Sequence, residues 1–252
     1  MFEIFKSSSV RIKTGLVMGA VVLGIAILNS FTVFWLFFGI LAFVGTYEAS
    51  KLYDYYDNKI YIHLLFIWIA AFWYPKPEDL AFVSLVYIAS ILAYHKRIEQ
   101  KVVILLLYPV IPFLFLWSLY ISYGLTALIW LLFVVAGADI GAYFTGRAIG
   151  KTKFCETSPN KTLEGVIGGI ATATVLGALF AIGEYEFFHV IVISAIVALA
   201  SVFGDLFESY LKREAGVKDS GDIFPGHGGV LDRLDGYLFG SIIMLVLLRA
   251  IY

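Results

Sequence analysis

The chain has a single cysteine, Cys155, among 252 residues, so no intrachain disulfide can form. Its four histidines, His63, His95, His189 and His227, are widely scattered, and with one thiol they make no zinc constellation. Charge is scarce as well: 15% of the residues are Asp, Glu, Lys or Arg, against 61% hydrophobic, and the net charge is −1. So few polar groups cannot cover a water-facing globule, which excludes a soluble protein. The net balance decides little by itself, and the placement of the charges decides more.

What the chain has in abundance is uninterrupted apolar sequence. No charged residue occurs from Gly15 to Tyr47 or from Val102 to Ala138, and each run exceeds the roughly 20 residues that span a bilayer. Each reads as two helices with a turn between them, at Asn29-Ser30 and at Ser122-Tyr123-Gly124. The expected fold is therefore all-α and polytopic, with about nine transmembrane helices. They fall near 14–29, 31–49, 60–75, 79–94, 102–121, 125–145, 163–183, 188–208 and 236–252. The third is short for a crossing, and charge placement is the reason to keep it.

With nine spans and a cytoplasmic N-terminus, 16 of the 18 basic residues lie inside, as the positive-inside rule asks. Those are Lys6, Arg11, Lys13, Lys51, Lys59, Lys96, Arg97, Lys101, Arg147, Lys151, Lys153, Lys161, Lys212, Arg213, Lys218 and Arg233, leaving Lys76 and Arg249 outside. The first span lacks a small-residue cleavage site and reads as an uncleaved helix rather than a signal peptide. Cys155 falls in a cytoplasmic loop, where a lone thiol is at home.

The two halves differ in kind. Residues 1–123 read mainly as scaffold, rich in Phe, Leu, Ile and Tyr, with Pro109 and Pro112 expected to bend the fifth span. No ionisable group is expected well inside a span there. Residues 124–252 read as the catalytic half of one membrane-embedded domain, because carboxylates appear in or beside spans: Asp139, Asp205 and Glu208, with Asp232 and Asp235 placed just before the ninth. Such groups are costly in a membrane and are usually functional. Four of them, Asp139, Asp205, Asp232 and Asp235, are expected at the inner membrane surface, where hard oxygen ligands suit Mg²⁺. The structural alternative is that they form ion pairs with Arg213 and Arg233. Span seven carries Gly169, Ala173, Gly177 and Ala181 at four-residue spacing, a stripe that favours close helix packing.

The densest polar block runs from Ser209 to Asp235 and gathers charged side chains, His227 and five glycines into 27 residues. Gly226, Gly228 and Gly229 permit close backbone approach to an anion, or simply a tight turn after Pro225. A near-match to a phosphate-binding loop at Gly146-Arg-Ala-Ile-Gly150-Lys151-Thr152 fails, having three residues between its glycines where four are needed. Downstream, Ser158-Pro-Asn-Lys161-Thr162-Leu-Glu164-Gly165 places Thr162 to cap span seven and Lys161 to meet a phosphate.

Within the polar block the order is Lys212-Arg213, Lys218-Asp219, Pro225-Gly226-His227-Gly228-Gly229 and Asp232-Arg233-x-Asp235. It closely resembles the signature of the phosphatidate cytidylyltransferases, or CDP-diacylglycerol synthases. Ala138-Asp139 with Ala142-Tyr143, Gly146-Arg147, Gly150-Lys151, the Ser158 to Gly165 run and Gly204-Asp205 to Ser209 resemble further elements of that family in the same order. Asn160 and Leu163 depart from it, standing where the family commonly has a second lysine and an aromatic residue.

The resemblance implies transfer of CMP from CTP to phosphatidic acid, assisted by Mg²⁺ and, in one variant, a second cation. It implies catalytic roles for Asp205, Asp232, Lys212, Arg213, Lys218, His227 and Arg233. Substrate contacts are implied for Ser158, Lys161, Glu164, Ser209, Asp219, Gly226, Gly228 and Gly229, and metal ligation for Asp205, Asp232, Asp139 and Asp235. The implied setting is a bacterial inner membrane with the site at the cytoplasmic face. The partners are CTP and membrane lipid, no nucleic acid, and in one arrangement a second copy of the chain. Three other readings are weighed: a CTP-dependent kinase of a membrane alcohol such as a polyprenol, a cation- or proton-coupled transporter, and a CDP-alcohol phosphatidyltransferase. The last fails on its motif, since Asp235-Gly236 is followed by Tyr237, Leu238, Phe239 and Gly240.

Overall fold

A computed structural model describes residues 2–95, 101–181 and 183–252, with side chains from residue 10 onward. Lys96 and Arg97, counted above on the inner side, lie outside the described residues, as does the side chain of Lys6. Nine helices are described: α1 Phe2–Leu28, α2 Phe31–Leu52, α3 Lys59–Trp73, α4 Leu80–His95, α5 Lys101–Leu105, α6 Ile111–Ile149, α7 Leu163–Ala181, α8 Phe187–Glu214 and α9 Leu231–Ile251. No named strand occurs among the described residues; two isolated bridges tie loops. The chain is thus an all-α polytopic membrane protein, as its composition requires.

Among the described residues, seven helical stretches are long and apolar enough to cross a membrane, one of them running from Lys101 to Ile149. That stretch is interrupted twice, by a π turn around Pro109 over Leu106–Val110 and by Gly124 at φ +70°, a conformation that suits glycine. The expected turns at Asn29 and Gly124 are both present, Asn29 at φ +39°. At 15 residues, α3 is about 22 Å long, short of a hydrocarbon core of about 30 Å.

Two compact units are built from these elements. The first takes residues up to Leu114 together with Glu214–Leu234, and the second takes Phe115–Arg213 and Asp235–Tyr252. In the first, α2 and α3 are joined by two reciprocal bonds: the Trp35 indole donates to the Trp68 carbonyl at 3.0 Å, and the Trp68 indole to the Trp35 carbonyl at 3.1 Å. Gly39 leaves room for the Trp68 ring, which a Cβ there would strike. By contrast α1 has no buried residue in its span from Val10 to Leu28.

The second unit packs α7 by its small-residue stripe, all four members of which are buried. A Cβ on Gly169 would press on the Ala138 carbonyl of α6, and one on Gly177 on Ser194 of α8. The Trp130 indole donates to the Ser194 hydroxyl at 2.8 Å in the same core, so that buried polar atom is satisfied.

One expectation is corrected here. Asp232 and Asp235 do not precede the last span; both lie in α9, which starts at Leu231. The N-terminal half also buries an ionisable group near the end of a span, Glu48 in α2, only 2% exposed.

Candidate active site

In the first unit the polar block is organised by two carboxylates. Glu48 Oε1 accepts from the Val230 N–H at 2.9 Å, while Oε2 accepts from the Leu231 N–H at 2.9 Å and the Ser220 hydroxyl at 3.0 Å. A negative group at the start of α9 satisfies backbone donors that the helix itself leaves open. Asp232 Oδ2 accepts from the Ser220 N–H at 2.8 Å, the Ser220 hydroxyl at 3.0 Å and the Gly229 N–H at 2.7 Å. Gly228 stands at φ +83°, and a Cβ on it would collide with the Asp232 carboxylate, so this loop closes only around glycine.

Between these anchors the Pro225 to Gly229 segment folds as a turn, with His227 N–H donating to the Phe224 carbonyl and Phe224 N–H to that of Gly228. It lies on α1, where the Thr14 hydroxyl donates to the Pro225 carbonyl at 3.0 Å. His227 Nδ1 is buried with no hydrogen-bond partner. Lys218, Asp219, Gly226 and Arg233 are exposed.

In the second unit a cavity of about 430 Å³ is lined by Asp139, Tyr143, Arg147, Asn160, Lys161 and Asp205, among others. The Lys161 ammonium contacts Asp205 Oδ2 at 2.5 Å, both side chains being partly exposed. Ser209 donates to Asp205 Oδ1 at 3.3 Å. One turn further along α8, Lys212 pairs with fully buried Glu208 at 3.0 Å. Asp235 accepts from the Gly236 N–H at 2.7 Å and lies within electrostatic reach of Asp205 and Asp139. Its backbone is admitted by Gly204, where a Cβ would come within 2.4 Å of the Asp235 carbonyl oxygen.

The loop that carries Lys161 is held at its base. Thr162 Oγ1 accepts from the Gly165 N–H at 3.1 Å, the capping bond expected of it. Glu164 accepts from the Lys151 and Thr152 amides at 3.1 and 3.2 Å and from the Thr152 hydroxyl at 2.8 Å. Ser158 gives its carbonyl to the Lys161 N–H at 3.0 Å.

Of the residues expected in the site, Asp139, Lys161 and Asp205 line one cavity, and Asp235, Glu208 and Lys212 continue from it. Asp232 and Ser220 belong to the other unit's loop. Lys161 pairs with Asp205, and Lys212 pairs with Glu208. Arg147 and Tyr143 also line the cavity, joined by a bond of 2.7 Å; the sequence offered them only as parts of a resemblance. Among the described residues no three His, Cys, Asp or Glu side chains form a ready-made metal cage.

Helices long enough to cross a bilayer, together with Lys161, Arg147 and two carboxylates around one cavity, define a polytopic membrane protein with a charged site. The model of the "Cytidylyltransferase family" matches residues 9–251, and the chain belongs to that family. It is 43% identical to the phosphatidate cytidylyltransferase of Helicobacter pylori strain J99 over 98% of this chain and 93% of that one. Identity to the protein of the same name from H. pylori strain 26695 is also 43%, over 95% and 91%. With that of Bacillus subtilis strain 168 it is 45% over 47% of this chain and 45% of the other.

Proposed function

We propose that the protein joins CTP and phosphatidic acid to give CDP-diacylglycerol and pyrophosphate. The observation that carries this reading is the cavity in which Lys161 and Arg147 face Asp139 and Asp205. Cations there offset the charge of a nucleotide's phosphates. The lipid phosphate oxygen bonds to the α-phosphorus of CTP, the bond from that phosphorus to the bridging oxygen breaks, and pyrophosphate leaves. No covalent enzyme intermediate is needed.

The donor chemistry suits Mg²⁺, which is held through one or two carboxylates plus substrate phosphates rather than in an all-protein cage. Asp205 and Asp232 are the first candidates to hold it, with Asp139 and Asp235 next. When bound it would neutralise charge on the transferring and departing phosphates. Lys161 is engaged by Asp205 and turns to phosphate when nucleotide enters. Lys212, buried against Glu208, holds that carboxylate in place, and Glu164 fixes the loop that presents Lys161. Arg213, Lys218 and Arg233 are candidates for phosphate contact.

We place the protein in a bacterial inner membrane with nine crossings and the site at the cytoplasmic face. A topology reporter after Tyr252 checks this, because strong cytoplasmic activity there contradicts nine spans. The decisive assay incubates purified protein with labelled CTP, phosphatidic acid and Mg²⁺. Lipid-linked CMP with pyrophosphate is the expected product, whereas CDP release would mark a kinase. Ion transport without CTP would mark a transporter.

A further inference from the structure

A second cavity, in the first unit, shares no lining residue with the cavity above, and Arg233, a candidate for phosphate contact, is part of its wall. It is a groove of about 470 Å³ lined by α1, α2, the Ile223 to Pro225 segment and the start of α9. Its walls are aliphatic and aromatic: Val17, Met18, Val21 and Val22 on one side, Phe37 and Leu41 on another. Its polar lining is confined to Lys13, Thr14 and Arg233. Thr14 is already committed to the Pro225 carbonyl, but Lys13 and Arg233 are exposed and their side chains have no hydrogen bond or ion pair among the described residues.

Two cationic side chains on the wall of an otherwise apolar groove ask for an amphiphile with an anionic head. Lys13 to Val22 spans about 14 Å of helix, enough to line the upper part of an acyl chain. Met18 is unbranched and polarisable, and suits a surface that must follow a flexible chain. The groove also opens where no protein competes, since α1 buries nothing from Val10 to Leu28. A nucleotide is a poor occupant, because the walls give a base no donors or acceptors. The α1 of a second copy is no better. From Val10 to Leu28 it has no acidic residue and would bring its own Arg11 and Lys13 against like charge.

We propose that this groove is a seat for the lipid substrate, with Lys13 and Arg233 on its phosphomonoester and an acyl chain along α1. The proposal deepens the reading above and rests on it for the identity of the lipid. A phosphomonoester carries more negative charge than the phosphodiester of a bulk anionic lipid, so two cations favour it.

The test uses the full chain in phosphatidylcholine nanodiscs with Met18→Trp as a reporter, and Leu41→Trp on the facing wall as a second in case the first fails to fold. Tryptophan emission above the wild-type background is followed as brominated lipids are introduced at equal mole fraction. Phosphatidic acid is expected to quench at least about fivefold more effectively than phosphatidylglycerol or phosphatidylcholine, and adding Lys13→Gln should cost about fivefold of that preference, the value of one basic side chain beside an anionic lipid. Lys13→Gln alone should raise the KM for phosphatidic acid by the same factor and leave the KM for CTP unchanged. Equal quenching by phosphatidic acid and phosphatidylglycerol overturns the groove assignment, even if the wild type converts lipid normally. Selective quenching with no CDP-diacylglycerol formed leaves the groove standing and removes the cytidylyl-transfer reading instead.

Discussion

Glu48 and Ser220 stand 172 positions apart and meet through a buried hydrogen bond of 3.0 Å. The same Ser220 hydroxyl lies 3.0 Å from Asp232 Oδ2. A hydroxyl has one hydrogen, so it serves one carboxylate at a time and couples the two. Backbone donors supply the remaining bonds, from Val230 and Leu231 to Glu48 and from Ser220 and Gly229 to Asp232. The loop is therefore fixed around carboxylate oxygens as well as by the buried Val230 and Leu231 side chains.

Removing Glu48 should loosen this loop more than any single substitution within it. Glu48→Ala leaves the Val230 and Leu231 amides and the Ser220 hydroxyl short of an acceptor in a buried place, a loss on the order of 3 kcal/mol. Hydrogen exchange at residues 229–231 should rise sharply while exchange in the middle of α7 stays unchanged. If the 229–231 amides stay as protected as in wild type, Glu48 does not carry the loop.

How far the sequence reached is clear from this pair. The spans were legible because charge-free runs in a membrane protein have little else to be, and the breaks at Asn29 and Gly124 followed from residues that tolerate positive φ. Thr162 was legible because capping is local. Glu48 was not, since one glutamate at the end of an apolar run has no periodicity to mark it. Its partners lie some 170 to 180 positions later. The start of α9 was missed for the same reason. Asp232 and Asp235 look like loop until Glu48 is seen to satisfy the first amides of that helix.

The Lys161 and Asp205 pair makes separable predictions. Lys161→Met removes a charge-assisted bond to phosphate and should raise the KM for CTP by at least about tenfold. Asp205→Asn should instead lower kcat, with the KM for CTP changed less. Steady-state kinetics with CTP varied at saturating phosphatidic acid distinguish the two. Equal effects of both variants on both constants would show that the pair acts as a structural bridge alone.

Asp232→Asn conserves size and keeps an oxygen able to accept from Ser220 and Gly229, so the protein should stay folded and monodisperse in detergent. Turnover is expected to fall below about a tenth of wild type. Retention of more than that, a barrier increase under about 1.4 kcal/mol, removes Asp232 from the metal ligands proposed here.

Gly204 tests how closely α8 and α9 must approach behind Asp205 and Asp235. A methyl group there would sit 2.4 Å from the Asp235 carbonyl oxygen, and backbone cannot swing aside as a side chain can. The next nearest neighbour outside Asp235 is the Cβ of Phe239 at 3.1 Å, also on α9. Gly204→Ala should therefore force the helices apart, at a stability cost of about 1–3 kcal/mol. Because Asp235 lies within electrostatic reach of Asp205 and Asp139, the separation should also lower kcat, with the KM for phosphatidic acid unchanged. Thermal unfolding in detergent together with a kcat measurement checks both parts, and a Gly204→Ala protein with wild-type stability would mean that α8 and α9 are free to separate at this level.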